Sequence, residues 1–372
     1  MSRLQNILAV IAGLMALLAL ALPYGQIGDM QAMSWNHWPL ILVLLASVAA
    51  LIVWYRDMPF AAVGVLAALG GVVLMELLPQ FDYALGGYWA ALVAFWAMAW
   101  LFAERLSRAI AKGKVAERPY GILIPLIFGA AILTVWEAIT LGANIPKVLL
   151  PAPSAIWDVL LANVPILVAD FQQTFIKAVL IGYGLGCGVG FAVAIAIDRS
   201  PFLKAGLLPL GNFVSALPLI GIAPIMVMWF GFDWPSKAAV VVIMTFFPML
   251  VNTIAGLNGS GEMERDLMRT YAAGYWQTLF KLRLPAAAPF IFNALKINST
   301  LALIGAIVAE FFGTPIVGMG FRISSEIGKL NVDMVWAEIA MAAVAGSVFY
   351  WVVVLIERAV TFWHPSVRGG RA

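Results

Sequence analysis

Charge is scarce in this chain. Only 11% of its 372 residues are Lys, Arg, Asp or Glu, and 63% are hydrophobic. A soluble domain carries roughly 25% charged and about 45–50% apolar residues. Water does not solvate such a surplus of apolar surface and one or two globular cores do not absorb it, so most of the chain is expected in a bilayer. Cysteine is nearly absent. Cys187 alone, in an apolar glycine-rich run, excludes an internal disulfide and reads as a small packing residue. The two histidines, His37 and His364, stand at opposite ends, so no Cys/His set has metal-ligand spacing. No GxxxxGK[ST] loop occurs; Gly328-Lys329 lacks both the upstream glycine and the following Ser/Thr. These absences argue against an enzyme, against a cofactor and against ATP hydrolysis by this chain through that loop. The net charge of +3 is scattered and offers no patch to nucleic acid.

Long apolar runs, in contrast, are abundant. A hydrocarbon core about 30 Å thick takes about 20 apolar residues per helix. Ten stretches qualify: 7–23, 38–55, 60–78, 87–103, 121–141, 168–197, 207–230, 237–257, 290–313 and 335–357. The first could pass for a signal peptide, but only Arg3 precedes it and no small-x-small cleavage site comes after it, so a retained helix is expected. With the N-terminus placed in the cytoplasm, 17 of the 22 lysines and arginines fall on the inner side, leaving Lys147, Lys177, Lys237, Arg322 and Lys329 outside. That is the positive-inside asymmetry, with both termini cytoplasmic. The polar run Glu104 to Pro119 separates an N-terminal four-helix membrane region (1–104) from a six-helix part (120–372), with 105–119 as a cytoplasmic linker. The expected fold class is therefore an all-α integral membrane protein of about ten spans.

One loop stands out. Asn258 to Pro289 is the longest inner loop of the second region. Glu262, Glu264 and Asp266 suit a helix start, Arg269, Lys281 and Arg283 suit helix ends, and Ala272-Ala273-Gly274 permits a break. Leu284-Pro285 is expected to end the segment, because proline does not continue a helix interior. Two short helices along the membrane surface result, offering either a shape another protein can grip or a solvated connector. Within the spans, Glu137 and Glu310 are the candidate path-lining or paired carboxylates, with Lys177 a candidate partner. Pro209, Pro218 and Pro224, with Gly221, predict a discontinuous helix that lines a cavity or packs with a kink. Gly182, Gly186 and Gly190 share a face and predict close helix packing. Glu76 and Glu357 sit at span ends.

The loop resembles the EAA loop of ABC importer permeases. Asp266 stands at the Glu position, Leu267 and Met268 at the two Ala positions, Ala272 where Gly is usual, Leu282 at Ile, and Leu284-Pro285 match outright. The resemblance covers about 120–365 and points to the nitrate/sulfonate/taurine branch. Trp136-Glu137, the outer loop Leu150 to Trp157, Ala216-Leu217-Pro218 with Ile222-Ala223-Pro224, Trp229-Phe230-Gly231, Phe247-Pro248 with Asn252-Thr253, Ala309-Glu310 and Gly318-Met319-Gly320 carry it. The first four helices lie outside it. The resemblance implies a permease subunit of an ATP-driven importer that moves a small solute: nitrate, a sulfonate, taurine or a heterocyclic vitamin precursor. It implies an ATPase subunit gripping Glu264, Asp266, Arg269, Ala272, Ala273, Gly274, Leu282, Leu284 and Pro285, an outer solute-binding protein, and a second permease, identical or related. It also implies that the Pro218–Pro224 region lines the pore. Two other classes stay open from the residues alone: an ion-gradient-driven secondary transporter, which calls for mid-membrane ionisable residues and internal repeats, and a non-transport membrane scaffold.

Overall fold

The computed structural model describes residues 3–33, 38–53, 60–116, 120–200, 202–203, 206, 219–313 and 316–363. They form two compact units, residues 1–158 and 159–372.

In the first unit, α1 (Arg3–Ala21), α2 (Trp38–Val53), α3 (Phe60–Leu77), α4 (Gly86–Ala111) and α5 (Leu123–Gly142) are joined by a small sheet. Ala9, Ala12, Ala16 and Ala19 are buried along one stripe of α1, which packs on α4, where Ala90, Ala91, Ala94 and Ala97 are buried. Small residues let two backbones approach closely where lipid supplies no hydrophobic drive between helices. The first apolar stretch is thus part of this unit's core. The strands β1 (Pro23–Ile27), β2 (Met30–Met33) and β3 (Tyr83–Ala84) pair antiparallel in the order β2-β1-β3, with Gly25 opposite Ala84. An all-α reading leaves the two outer connections lacking Lys and Arg as plain loops; pairing across more than fifty residues satisfies their backbone groups instead.

Two further expectations change here. The helix α4 does not stop at residue 103 but continues to Ala111, taking in the first part of the expected linker. A 2.6 Å Glu104–Arg108 pair one turn apart supports this polar extension, and Gly113, at φ +66, ends it. Residues 150–157, expected as a loop, become helical from Pro153 in α6 (Pro153–Ala162). The unit boundary falls at Asp158/Val159, so α5 packs with the N-terminal helices, in particular α4.

The second unit is built around α9 (Trp234–Asn258), which packs on α7 (Val164–Arg199) and α11 (Tyr275–Glu310). A Cβ on Gly182 would come within 2.7 Å of the Ala238 carbonyl oxygen, on Gly186 within 2.8 Å of Val242 O, and on Gly190 within 2.6 Å of Phe246 O. The glycine face of α7 therefore lies directly on the α9 backbone, while Gly184 and Gly188 face open space. The remaining helices are α8 (Leu219–Phe230), α10 (Glu262–Thr270), α12 (Met319–Gly328) and α13 (Val332–Val360).

Among the described residues eight helices are long and apolar enough to cross a membrane. The other two expected spans appear as the shorter helices α2 and α8, their remaining residues (54–55 and 207–218) lying outside the described ones. Pro224 sits inside α8 without breaking it, since one missing N–H removes a single ladder bond.

Candidate functional site

The loop after α9 is a short amphipathic helix on a packed, hydrogen-bonded base. Glu262 and Glu264 lie in the first turn of α10 and Arg269 in its last, matching the helix dipole. Its end is a Schellman motif: Ala272 N–H donates to Arg269 O (2.8 Å) and Ala273 N–H to Met268 O (3.0 Å). That motif demands a left-handed residue, and Ala272 has φ +52. The position where glycine is usual thus has a physical explanation. Gly274 then starts α11, its N–H donating to Gln277 Oε1 at 3.2 Å.

No residue of α10 is buried. Met263, Leu267 and Tyr271, four residues apart and so on one face, are 84%, 56% and 77% exposed. Glu264, Asp266, Arg269 and Ala272 are exposed beside them, and Asp266 accepts a 3.1 Å bond from Arg269. With both side chains in water that pair contributes little.

The base is a different environment. Leu279, Leu257 and Ala287 are buried together, with Leu284 and Tyr275 packed against them. Leu282 and Pro285 are half-buried. Leu284-Pro285 does not end the helix as expected. Residues 279–283 form a wide turn in which Leu284 N–H reaches back five residues to Leu279 O, and Pro285 lies in the first turn of the long α-helical segment Leu284–Glu310. The wide turn resets the ladder so that the missing proline N–H falls where no bond is due.

Four side chains outside the residues expected at the site hold this base. Arg283 grips Asp198, at the end of α7, through Nη1 to Oδ2 (2.7 Å) and Nη2 to Oδ1 (2.6 Å), and its Nε donates to Leu257 O at 3.0 Å. Tyr275 donates its hydroxyl to Asp198 Oδ2 at 3.0 Å. Arg265 donates to Ser260 Oγ (2.8 Å) and Asn258 O (2.8 Å), carbonyls at a helix end being short of partners. Arg283 and Asp198 lie 85 residues apart, so their pairing is not visible in any one stretch of sequence.

The intramembrane candidates take distinct places. Glu137, half-buried, accepts from Ser154 N–H (2.9 Å) and Ser154 Oγ–H (2.6 Å), holding the first turn of α6. Two of the motifs that carry the resemblance are thus one contact. The same holds for Ala309-Glu310 and Gly318-Met319-Gly320. Glu310 is 2% exposed; its Oε1 accepts from Thr174 and its Oε2 from Gly320 N–H, each at 2.7 Å. Thr174 Oγ1 in turn accepts Met319 N–H (2.8 Å), and Asp170 takes Gly318 N–H (2.6 Å) and Arg322 Nε (2.8 Å). Two carboxylates and a hydroxyl therefore satisfy the orphan N–H groups that open α12. Lys177 donates to Gln173 Oε1 (3.0 Å), and Lys237, 1% exposed, to the backbone carbonyls of Phe232 and Gly313. Pro224 is half-buried in α8; Pro218 lies outside the described residues. The buried acids Asp170 and Glu338, both 0% exposed, are not distinguished by their sequence surroundings.

Outside the spans, burial works against the Arg322 charge, but the hydrogen bond and charge of Asp170 outweigh it and hold the guanidinium above its ordinary value. Burial likewise opposes the Glu326 charge, and the bonds from Lys329 (2.7 Å) and Asn331 (2.8 Å) overcome it, leaving the carboxyl below its usual range.

Over residues 186–362 the chain matches the family described as binding-protein-dependent transport system inner membrane component. That stretch contains Asp198, the α10 loop with its base, Glu310 and Gly318-Met319-Gly320. A probable ABC transporter permease protein of Haemophilus influenzae is 30% identical over 216 residues, covering 58% of this chain and 87% of the relative. A putative aliphatic sulfonates transport permease protein of Bacillus subtilis is 29% identical over 259 residues (69% of this chain, 93% of the relative). The taurine transport system permease protein of Escherichia coli is 27% identical over 251 residues (64% and 89%). Nearly a third of this chain therefore has no counterpart in the Bacillus subtilis relative. With its apolar spans, its α10 loop and these relatives, the chain belongs to the inner-membrane permease components of binding-protein-dependent ABC transport systems, in the nitrate/sulfonate/taurine branch.

Proposed function

We propose that this permease is the membrane-spanning subunit of an ATP-driven importer, that residues 120–372 supply its core, and that α10 is the surface a separate ATPase subunit grips. The observation that carries this reading is the apolar row Met263, Leu267 and Tyr271 on a helix that buries nothing of its own. An exposed apolar face on a polar loop, held on a packed base, is the form of a helix that docks in a groove of another protein. The chain carries no phosphate-binding loop of its own, so in this reading ATP is hydrolysed by a separate subunit. In this reading α10 and both termini are cytoplasmic, which the Lys/Arg asymmetry supports. A solute-binding protein delivers cargo at the other face, and a second permease, identical or related, completes the path. The cargo class is a small solute of the kind named for the relatives, such as a sulfonate.

The test is co-purification in mild detergent of the native ATPase subunit with wild type, Leu267→Glu and Ala272→Arg. Retention by wild type and loss in both variants, with unchanged helical content, supports the reading. Absence of any ATPase with wild type defeats it.

A further inference from the structure

We propose that Asp198 and Arg283 form the link through which a displacement of α10 reaches the transmembrane helix α7. The proposal rests on the importer reading and names the positioning residues of its coupling site.

Nothing in α10 is buried, so a push on it is passed on only at its two ends. At its start Arg265 ties it to Asn258 O and Ser260 at the end of α9. At its far end the chain runs through Ala273-Gly274 into α11. There Tyr275 and Arg283 converge on one carboxylate, Asp198 of α7, while Arg283 Nε also holds Leu257 O of α9. Arg199, the last residue of α7, lies 5.8 Å from the ring centroids of both Tyr275 and Trp276, reinforcing the same junction. One guanidinium thus joins three helices.

Solvent exposure decides which ion pair can carry a displacement. The Asp266–Arg269 pair on α10 is 68% and 81% exposed, so water replaces it readily. The Asp198 and Arg283 side chains are 9% and 14% exposed, and their two parallel bonds fix direction as well as distance. Beyond the junction, α7 lies with its glycine face on the α9 backbone at Gly182, Gly186 and Gly190. Packing that close does not slide continuously, so a movement delivered at Asp198 shifts α7 as a body.

The experiment is hydrogen–deuterium exchange on the full chain in lipid nanodiscs with its co-purified ATPase subunit, with and without ATP, for wild type, Asp198→Asn and Asp198→Glu. In wild type, ATP changes exchange both at residues 262–270 and at 190–199. In Asp198→Asn the response at 262–270 stays and that at 190–199 is lost; Asp198→Glu, which keeps the charge, restores it. A merely structural pair would lower the unfolding midpoint without separating the two responses. An unaltered response at 190–199 in Asp198→Asn overturns the link while leaving the importer reading intact. No ATP-dependent change at 262–270 in wild type overturns both.

Discussion

Ala272 holds a left-handed backbone that residues bearing a Cβ, asparagine and aspartate aside, enter at a cost of about 1–2 kcal/mol. Ala272→Gly removes that cost, partly offset by the greater freedom of glycine in the unfolded chain. A gain of about 1 kcal/mol is expected, read as a higher unfolding midpoint in detergent with ATPase retention unchanged. Leu330, at φ +59 behind an identical pair of bonds at the end of α12, should respond in the same direction. The opposite holds at Gly318. Its φ is +141, and a Cβ there would stand 2.8 Å from the Glu310 carboxyl carbon. Gly318→Ala should cost about 2 kcal/mol or more through backbone strain and displacement of that buried acid, seen as a lowered midpoint. Which glycines a fold requires is written in φ and in neighbours, not in residue type. The sequence therefore marks Gly318-Met319-Gly320 as a resemblance without showing that Glu310 is what it meets.

At the scale of an element, α7 and α12 make contrasting cases. The four-residue glycine spacing of α7 is legible because it is a property of one helix, and the structure supplies its partner, α9. Gly186→Ala places a methyl against Thr245 and 2.8 Å from Val242 O, so helices must separate and stability must fall. Gly188→Ala, two residues away, meets nothing within 4 Å and should be neutral or stabilising by up to about 1 kcal/mol through helix propensity. Paired unfolding midpoints for the two variants check the packing face. The helix α12 is held instead by charge. Glu326 is depressed in the folded state, so its contribution is fully present above the ordinary carboxylate pKa of about 4.3 and is lost as pH falls through its lower folded value. Acid titration of the unfolding midpoint should therefore show a steeper drop in that window for wild type than for Glu326→Gln. The run of ionisable residues that holds α12 comes from α7, α11 and α12 itself, and no single stretch of sequence displays it.

For the whole molecule, the loop, its base and Asp198 all lie within residues 159–372, while the N-terminal helices pack into a separate core. Deleting residues 1–119 is expected to leave ATPase co-purification intact and to reduce yield, because α5 loses the neighbours that bury Ala138. Loss of co-purification from an otherwise folded, membrane-inserted truncation would place part of the docking surface in the N-terminal region. The boundary expected at the polar run Glu104 to Pro119 marks a change in composition. The unit boundary marks a change in what packs together, and α5 crosses from one side to the other.

The sequence by itself determined the solvent, the membrane spans that reach full length, the position of the exposed loop and the family. Each of these depends on hydropathy, on local charge order or on spacing within a few residues. Tertiary structure decided what the polar residues do. Glu137 and Glu310 hold helix starts at α6 and α12, Asp198 and Arg283 meet across 85 residues, and the distant strand β3 adds to the β1–β2 hairpin. The reason is physical. Apolar burial in a bilayer is set residue by residue, whereas a buried charge or an orphan N–H is stable only with a partner, and that partner is supplied by the fold.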